Sequence, residues 1–165
     1  MLSKRPRRLR KTAIIRDMIA ETKLSKNMFI YPYFVIGGKK QKLAIEAMPG
    51  IFHFSIDELL VDVEKGLKHG INKILLFGVG EEKTTDASSA YSKNTIVVNA
   101  VRELKKKFSD NLLVITDVCV CAYTTHGHCG IIHNDYVEND ASVSVLAKMA
   151  LAHAEAGSDM VAPSD

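Results

Sequence analysis

The sequence has 165 residues, of which 47% are hydrophobic and 25% charged. This composition is typical of a globular domain and excludes disordered and fibrous chains. No apolar run reaches the roughly 18 residues of a membrane-spanning helix, and the basic first residues lack the apolar stretch of a secretory signal. Three cysteines, an odd number, favour a reducing compartment over a disulfide framework. We therefore expect a soluble, cytoplasmic protein.

The formal net charge of +3 is unevenly distributed. Six bases and no acid lie in residues 1–12, so the rest of the chain carries a charge of −3. Such a basic arm could bind nucleic acid, act as a targeting peptide or pack against another subunit. Nucleic-acid binding would favour interleaved aromatic residues, and tryptophan is absent. We expect a subunit-packing or solvated arm, with no nucleic-acid or membrane partner.

The first elements after the arm are a strand, a short strand and a helix. Residues 29–36 are aromatic and β-branched and precede two glycines, which predicts a strand followed by a turn. Residues 51–54 follow a Met-Pro-Gly turn and predict a short extra strand. Ser55 and Glu58 have the spacing of a capping box, and the apolar residues that follow at helical spacing predict a helix that ends at Gly70.

The pattern then repeats. Residues 73–79 form an uninterrupted apolar run, typical of a strand covered on both faces in a parallel sheet. Residues 80–93 predict a long polar loop, and loops of this length are often active-site lids. Asn94 is the predicted cap of a second helix that reaches Phe108, and residues 112–120 predict the next strand.

A third helix over residues 141–156 and a fourth strand from residue 160 complete the pattern. Strands alternating with helices predict right-handed βαβ units and a parallel sheet. Four strands and three helices fit either an open doubly wound sheet or about half of an eight-stranded barrel, and periodicity does not decide between them. The absence of a G-x-G-x-x-G or P-loop motif disfavours a nucleotide-binding open sheet.

All three cysteines lie between residues 119 and 129, at the end of the predicted third strand. Because alternate side chains share one face of a strand, we expect Asp117, Cys119 and Cys121 to point to the same side. Cys129 follows a glycine-containing loop, so three sulfur atoms can converge on one ion. Thiolates select zinc or a similar thiophilic ion, and three protein ligands leave one position open, as in catalytic zinc sites.

Other interpretations of these residues stay open. The cysteines could be three buried small hydrophobes, whereas a disulfide between Cys119 and Cys121 would need strained geometry. His126 and His128 could be metal ligands, general acids, donors to a ligated group or ordinary loop residues. Asp117 could position a substrate amine or be a paired carboxylate at the strand end.

Residues 117–130, DVCVCAYTTHGHCG, closely resemble the zinc-site segment of the porphobilinogen synthase family, also called 5-aminolevulinate dehydratase. Further segments resemble the family's landmarks in the same order; they are residues 5–10, 30–35, 48–50, 76–79, 153–157 and 161–165. The resemblance covers nearly the whole chain. It implies an α/β fold that forms the amino-terminal half of a (β/α)8 TIM barrel, preceded by an extended N-terminal arm.

The resemblance also implies how the chain is organised. Residues 1–28 would form the arm, which in the family wraps a neighbouring subunit of a homo-octamer. Residues 29–165 would supply the first four βα strands and stop before the family's two catalytic lysines, which lie on later strands. No lysine of this sequence matches those positions. We expect the chain alone to be inactive, because the lysines that would form Schiff bases with the substrates are missing.

Individual site residues follow from the same resemblance. The three cysteines place the chain in the zinc-type branch, since other members carry acidic residues there and depend on magnesium. Asp117 matches a catalytic carboxylate, and Ser164 and Asp165 match the substrate-proximal end of the fourth strand. His128 matches a ligand of a second, weaker zinc in some members. Mg²⁺ is a candidate allosteric ion of the full-length family.

The activity implied by the resemblance is the condensation of two 5-aminolevulinate molecules to porphobilinogen with loss of two waters. This hydro-lyase reaction belongs to haem and other tetrapyrrole biosynthesis. The alternative is a catalytically dead zinc-binding or assembly module of the same fold, which would share every motif named above.

Overall fold

The computed structural model describes residues 3–4, 6–80 and 82–164. Arg5 of the basic arm and Asp165 of the predicted substrate-proximal pair lie outside the described residues.

A six-stranded sheet forms the centre of the structure. Its strands, in their order across the sheet, are β2 (Lys42–Ala44), β3 (Phe52–Phe54), β1 (Tyr31–Val35), β4 (Lys73–Gly78), β5 (Leu113–Val118) and β8 (Met160–Pro163). Only the pair β2 and β3 is antiparallel. A separate antiparallel hairpin consists of β6 (Ile131–His133) and β7 (Tyr136–Glu138).

The four longer parallel strands β1, β4, β5 and β8 lie in the same order in the sheet as along the chain. A doubly wound sheet reverses its strand order at a switch point, whereas a barrel keeps it. The order of these four strands fits the half-barrel expectation, and the short parallel strand β3 lies on the other side of β1.

In the described ranges, four α-helices accompany the sheet: α1 (Ala13–Met18), α2 (Ile56–Lys68), α3 (Ile96–Phe108) and α4 (Asn139–Glu155). The last three connect successive parallel strands, which confirms the predicted βαβ pattern. The buried side chains of α2 and α3 explain their packing: Leu59 and Leu104 are fully buried and belong to one core cluster with Leu76 of β4. Burying each such side chain contributes about 1.5–3 kcal/mol relative to leaving it exposed.

Ser55 is the N-cap residue of α2, as predicted, but its capping bond and the predicted cap of α3 need correction. Ser55 precedes α2 but makes no side-chain cap bond. Its hydroxyl instead accepts the backbone N–H of Gln41 at 2.9 Å and donates to Asp57 Oδ1 at 2.5 Å. The cap of α3 is Thr95 rather than Asn94, because Thr95 Oγ1 accepts the backbone N–H of Val98 at 3.2 Å.

Residues 82–93 belong to the predicted long polar loop, whose role as an active-site lid stays a prediction. They contain a 3₁₀-helix, Ser88–Tyr91, and Ala87 and Ala90 are fully buried. Thr84 forms a parallel bridge with Thr124, in which Thr84 N–H donates to Tyr123 O at 2.9 Å. This segment is therefore anchored to the loop that carries the cysteines.

The turn between α4 and β8 is fixed by Asp159. Its carboxylate accepts the backbone N–H of Val114 at 2.8 Å and Lys105 Nζ at 2.9 Å. Burial alone would raise the pKa of Asp159, but these hydrogen bonds and the lysine charge outweigh burial and hold the pKa below its ordinary value. The contact joins β8 to β5 and to α3.

His153 of α4 is fully buried. Neither ring nitrogen has a hydrogen-bond partner among the described residues. Burial without a partner disfavours the imidazolium, so the pKa of His153 falls from 6.5 to about 4. The side chain is therefore neutral at pH 7.

The described part of the arm lies on the surface. It contains a 3₁₀-helix, Pro6–Arg10, and α1, in which Ile14 and Met18 are 83% and 71% exposed. Among the described residues, none of the helices has the length and apolar character required to cross a membrane.

Candidate metal centre

The three cysteines lie just beyond the carboxyl end of β5, which is where parallel α/β folds place their sites. The strand itself ends at Val118. The predicted strand over residues 112–120 is therefore too long: Cys119 follows the strand and Cys121 lies in the turn, although both still line one cavity with Asp117. That turn is tight: the backbone N–H groups of Tyr123 and Thr124 both donate to Val120 O, at 2.9 and 3.1 Å.

The tight turn brings the sulfur atoms together. Cys119 Sγ lies 3.2 Å from Cys121 Sγ and 3.5 Å from Cys129 Sγ, and all three sulfurs lie within 4.8 Å of one another. Zn–S bonds of about 2.3 Å in a tetrahedron would place the sulfurs about 3.8 Å apart. The donor set therefore fits one thiophilic divalent ion if the two Cys119 pairs widen by about 0.3–0.6 Å.

The structure also decides between the other interpretations of the cysteines. Only Cys119 is buried; Cys121 is half-buried and Cys129 is exposed. The interpretation of the cysteines as three buried small hydrophobic residues is therefore wrong. A separation of 3.2 Å between Cys119 Sγ and Cys121 Sγ also exceeds the roughly 2.05 Å of a disulfide bond. The cluster could hold a metal ion.

Asp117 lies beside the cluster in β5. It is half-buried and, together with Cys119 and Cys121, lines a cavity of about 180 Å³. Phe34 and Phe77 form another wall of this cavity, with their rings stacked at a centroid distance of 5.2 Å. A carboxylate and two sulfurs thus face a space whose remaining walls are largely apolar.

The predicted substrate-proximal and second-metal residues differ in their placement. Ser164 is brought to the end of β5, since its backbone N–H donates to Val118 O at 3.4 Å. His128 is exposed, and its ring lies 5.6 Å from that of His126. Within the described part of the chain, neither histidine joins the cysteine cluster as a further ligand. Asp165 falls outside the described residues.

Two side chains that the sequence did not single out support the cysteine loop. Thr124 Oγ1 donates to His128 O at 2.9 Å. Ser142 Oγ, on the first turn of α4, accepts the backbone N–H of Ile131 at 2.9 Å. Single hydroxyl residues in a loop and a helix carry no sequence signal that could have identified them.

Comparison with known proteins identifies the family to which the chain is similar. Residues 3–165 match the family model of delta-aminolevulinic acid dehydratase. The enzyme of that name from Methanothermus sociabilis is 50% identical over 161 residues, which cover 98% of this chain and 50% of the relative. The one from Ruminiclostridium josui is 43% identical over 162 residues, covering 98% of this chain and 78% of the relative.

A solved structure agrees with the sequence relatives. The crystal structure of delta-aminolevulinic acid dehydratase (porphobilinogen synthase) from Toxoplasma gondii, in complex with the reaction product porphobilinogen, matches with a TM-score of 0.91 at 33% identity. The match covers 99% of this chain and 47% of that chain, so this chain spans about half the length of the solved enzyme. Its mainly parallel sheet corresponds to half of the barrel. The chain belongs to the delta-aminolevulinic acid dehydratase family.

Proposed function

We propose that the complete protein containing this chain is a porphobilinogen synthase. It would condense two 5-aminolevulinate molecules with loss of two waters, as a hydro-lyase of haem and tetrapyrrole biosynthesis. The observation that carries the proposal is the three-cysteine cluster beside Asp117 at the end of β5, in a chain that belongs to this family. The porphobilinogen named in the Toxoplasma gondii structure supports the same substrate class.

The proposed metal is zinc, held by Cys119, Cys121 and Cys129. The all-sulfur donor set supports a thiophilic ion over magnesium or calcium. When bound, the ion supplies Lewis-acid activation of one substrate. His128 is proposed as a ligand of a second, weaker zinc, and Mg²⁺ as an allosteric ion of the complete protein.

The protein residues beside the cluster would bind and orient the substrate. Asp117 is proposed as the catalytic carboxylate, which holds the substrate ammonium through a charge-assisted hydrogen bond. The apolar wall formed by Phe34 and Phe77 supports this role, because low surrounding polarity strengthens such a bond. Ser164 and Asp165 are proposed to contact the substrate at the neighbouring strand end.

The two parts of the chain would serve different purposes. Residues 1–28 are proposed as a subunit-packing arm of a homo-oligomer, an octamer by resemblance to the family. The exposed apolar side chains of Ile14 and Met18 support this role. Residues 29–165 are proposed as the first four strands of the barrel. A cytoplasmic location fits a site that needs reduced thiols.

The test compares the complete protein, translated from the whole reading frame that contains this chain, with the 165-residue chain. We expect porphobilinogen formation from 5-aminolevulinate by the complete protein and none by the chain alone, because the Schiff-base lysines would lie outside it. In the complete protein, Cys129→Ser should abolish most activity, whereas the control Val61→Ser, at a site 45% exposed on α2, should not.

Two results would contradict the proposal. Porphobilinogen formation by the 165-residue chain, with its length confirmed by intact mass, would show that the missing lysines are not needed. A complete protein that binds zinc but forms no porphobilinogen would instead support the inactive zinc-binding or assembly module.

A further inference from the structure

Two buried hydroxyl groups lie on either side of Cys129 in the chain. Thr124 is fully buried and Ser142 is 6% exposed. Thr124 binds the residue immediately before Cys129, and Ser142 binds the second residue after it. The most exposed cysteine of the cluster is thus carried by a short segment whose two ends are each held by one side chain.

The Thr124 contact closes the loop between Cys121 and Cys129. Thr124 Oγ1 donates to His128 O at 2.9 Å. The backbone of Thr124 is itself held by the bridge to Thr84, since the N–H of the next residue, Thr125, donates to Thr84 O at 3.2 Å. The hydroxyl therefore connects the loop to a part of the chain that is fixed independently of any metal.

The Ser142 contact holds the other end. Ser142 Oγ donates to Glu138 O at 2.5 Å and accepts the N–H of Ile131 at 2.9 Å. It thereby joins the start of α4 to the β6–β7 hairpin. The fit is close: a Cβ added to Gly130 would lie 3.0 Å from Ser142 Oγ and 2.5 Å from Val137 Cγ1.

We propose that Thr124 and Ser142 are positioning residues that place Cys129 for metal binding, an inference that rests on the proposed metal site. Cys129 Sγ lies 3.5 Å from Cys119 Sγ although the cysteine is exposed. The two hydroxyls keep the loop ordered before the ion arrives, so metal binding does not have to order it. Losing such a supporting contact typically costs about 10–100-fold in metal affinity.

The first test titrates Co²⁺ into the reduced, metal-free 165-residue chain and follows the thiolate-to-cobalt charge-transfer absorption. Ser142→Ala and Thr124→Val should each weaken Co²⁺ binding about 10–100-fold. Thr124→Ser keeps the hydroxyl and should restore affinity close to that of the parent. The matched control is Ser55→Ala, which removes another fully buried, hydrogen-bonded hydroxyl far along the chain and should leave affinity unchanged.

Unchanged Co²⁺ affinity in folded Ser142→Ala and Thr124→Val would overturn the inference, as would an equal loss in Ser55→Ala. A purely structural role of these hydroxyls would lower the free energy of unfolding by a similar amount in all three variants. If the parent shows no charge-transfer absorption at all, the proposed metal site fails, and the second test then decides the inference separately.

The second test measures the position of Cys129 without any metal. In a Cys121→Ser background, only Cys119 and Cys129 can pair. Diamide oxidises their two thiols to one disulfide and is itself reduced to the hydrazine, and mass spectrometry follows the rate. Adding Ser142→Ala or Thr124→Val should slow disulfide formation several-fold. An equal rate with and without the hydroxyls would contradict the inference.

Discussion

Lowering the pH from 7 to 5 should destabilise the metal-free chain through His153. The native pKa of this buried imidazole is about 4, below its ordinary value of 6.5. On acidification, His153 is therefore protonated at a higher pH in the unfolded chain than in the folded chain. The stability that depends on neutral His153 is fully present above pH 6.5 and is lost as the pH falls towards 4. A shift of this size corresponds to about 3 kcal/mol in total, of which about 2 kcal/mol is lost between pH 7 and 5.

The assay is urea unfolding of the reduced chain at a series of pH values, compared with His153→Leu. The variant removes the titrating group and fills a similar volume, so its free energy of unfolding should fall by about 2 kcal/mol less than that of the parent over this range. Parallel pH profiles for the parent and His153→Leu would refute the reasoning.

Three further predictions concern packing and the loop. Gly130→Ala should destabilise the chain by about 1–3 kcal/mol and weaken Co²⁺ binding, because the new Cβ would lie 2.5 Å from Val137 Cγ1. Gly37→Ala, with nothing within 4 Å, is its control, and equal effects on both variants would contradict the packing argument. Leu76→Ala should lower the free energy of unfolding by about 2–5 kcal/mol, since Leu76 is fully buried, and a loss below about 1 kcal/mol in urea unfolding would be inconsistent with that core position. Asp159→Ala should cost about 1–3 kcal/mol, because it removes the acceptor of the Val114 N–H and the carboxylate partner of Lys105, which keeps only its carbonyl acceptors. Glu64→Ala, which breaks an exposed ion pair with Lys107, should change urea unfolding little, and similar losses in both carboxylate variants would count against the role of Asp159.

The longer elements were predictable because their signals are local. The amphipathic spacing in α2 and α3 and the apolar runs of β4 and β5 need no knowledge of the rest of the chain. The β6–β7 hairpin was missed, although its turn carries a usable signal. Asn134 and Asp135 both adopt positive φ, 49° and 59°, as in the turns that asparagine and aspartate favour between short strands.

The capping contact of α2 depends on a tertiary partner. Ser55 and Glu58 have the right spacing for a capping box, but Gln41, fourteen residues earlier, binds the Ser55 hydroxyl instead. Only the folded chain brings Gln41 there. Local patterns therefore locate a helix better than they assign its cap.

The candidate site was also only partly predictable from the sequence. The cysteine cluster was visible in the sequence, since the three residues lie between positions 119 and 129, and the structure brings their sulfurs together. The supporting hydroxyls of Thr124 and Ser142 could not be predicted from the sequence, because their partners are backbone groups that come close only in the folded loop. Their ligand-positioning role stays a prediction, as does metal binding itself.

The most direct measurement is the metal content and X-ray absorption spectrum of the reduced chain after anaerobic loading with Zn²⁺. We predict one zinc per chain with three sulfur neighbours at about 2.3 Å and one lighter ligand. Changing Cys119, Cys121 and Cys129 together to serine should remove that zinc. Failure to bind zinc under these conditions, or an unchanged stoichiometry in the triple variant, would contradict the account.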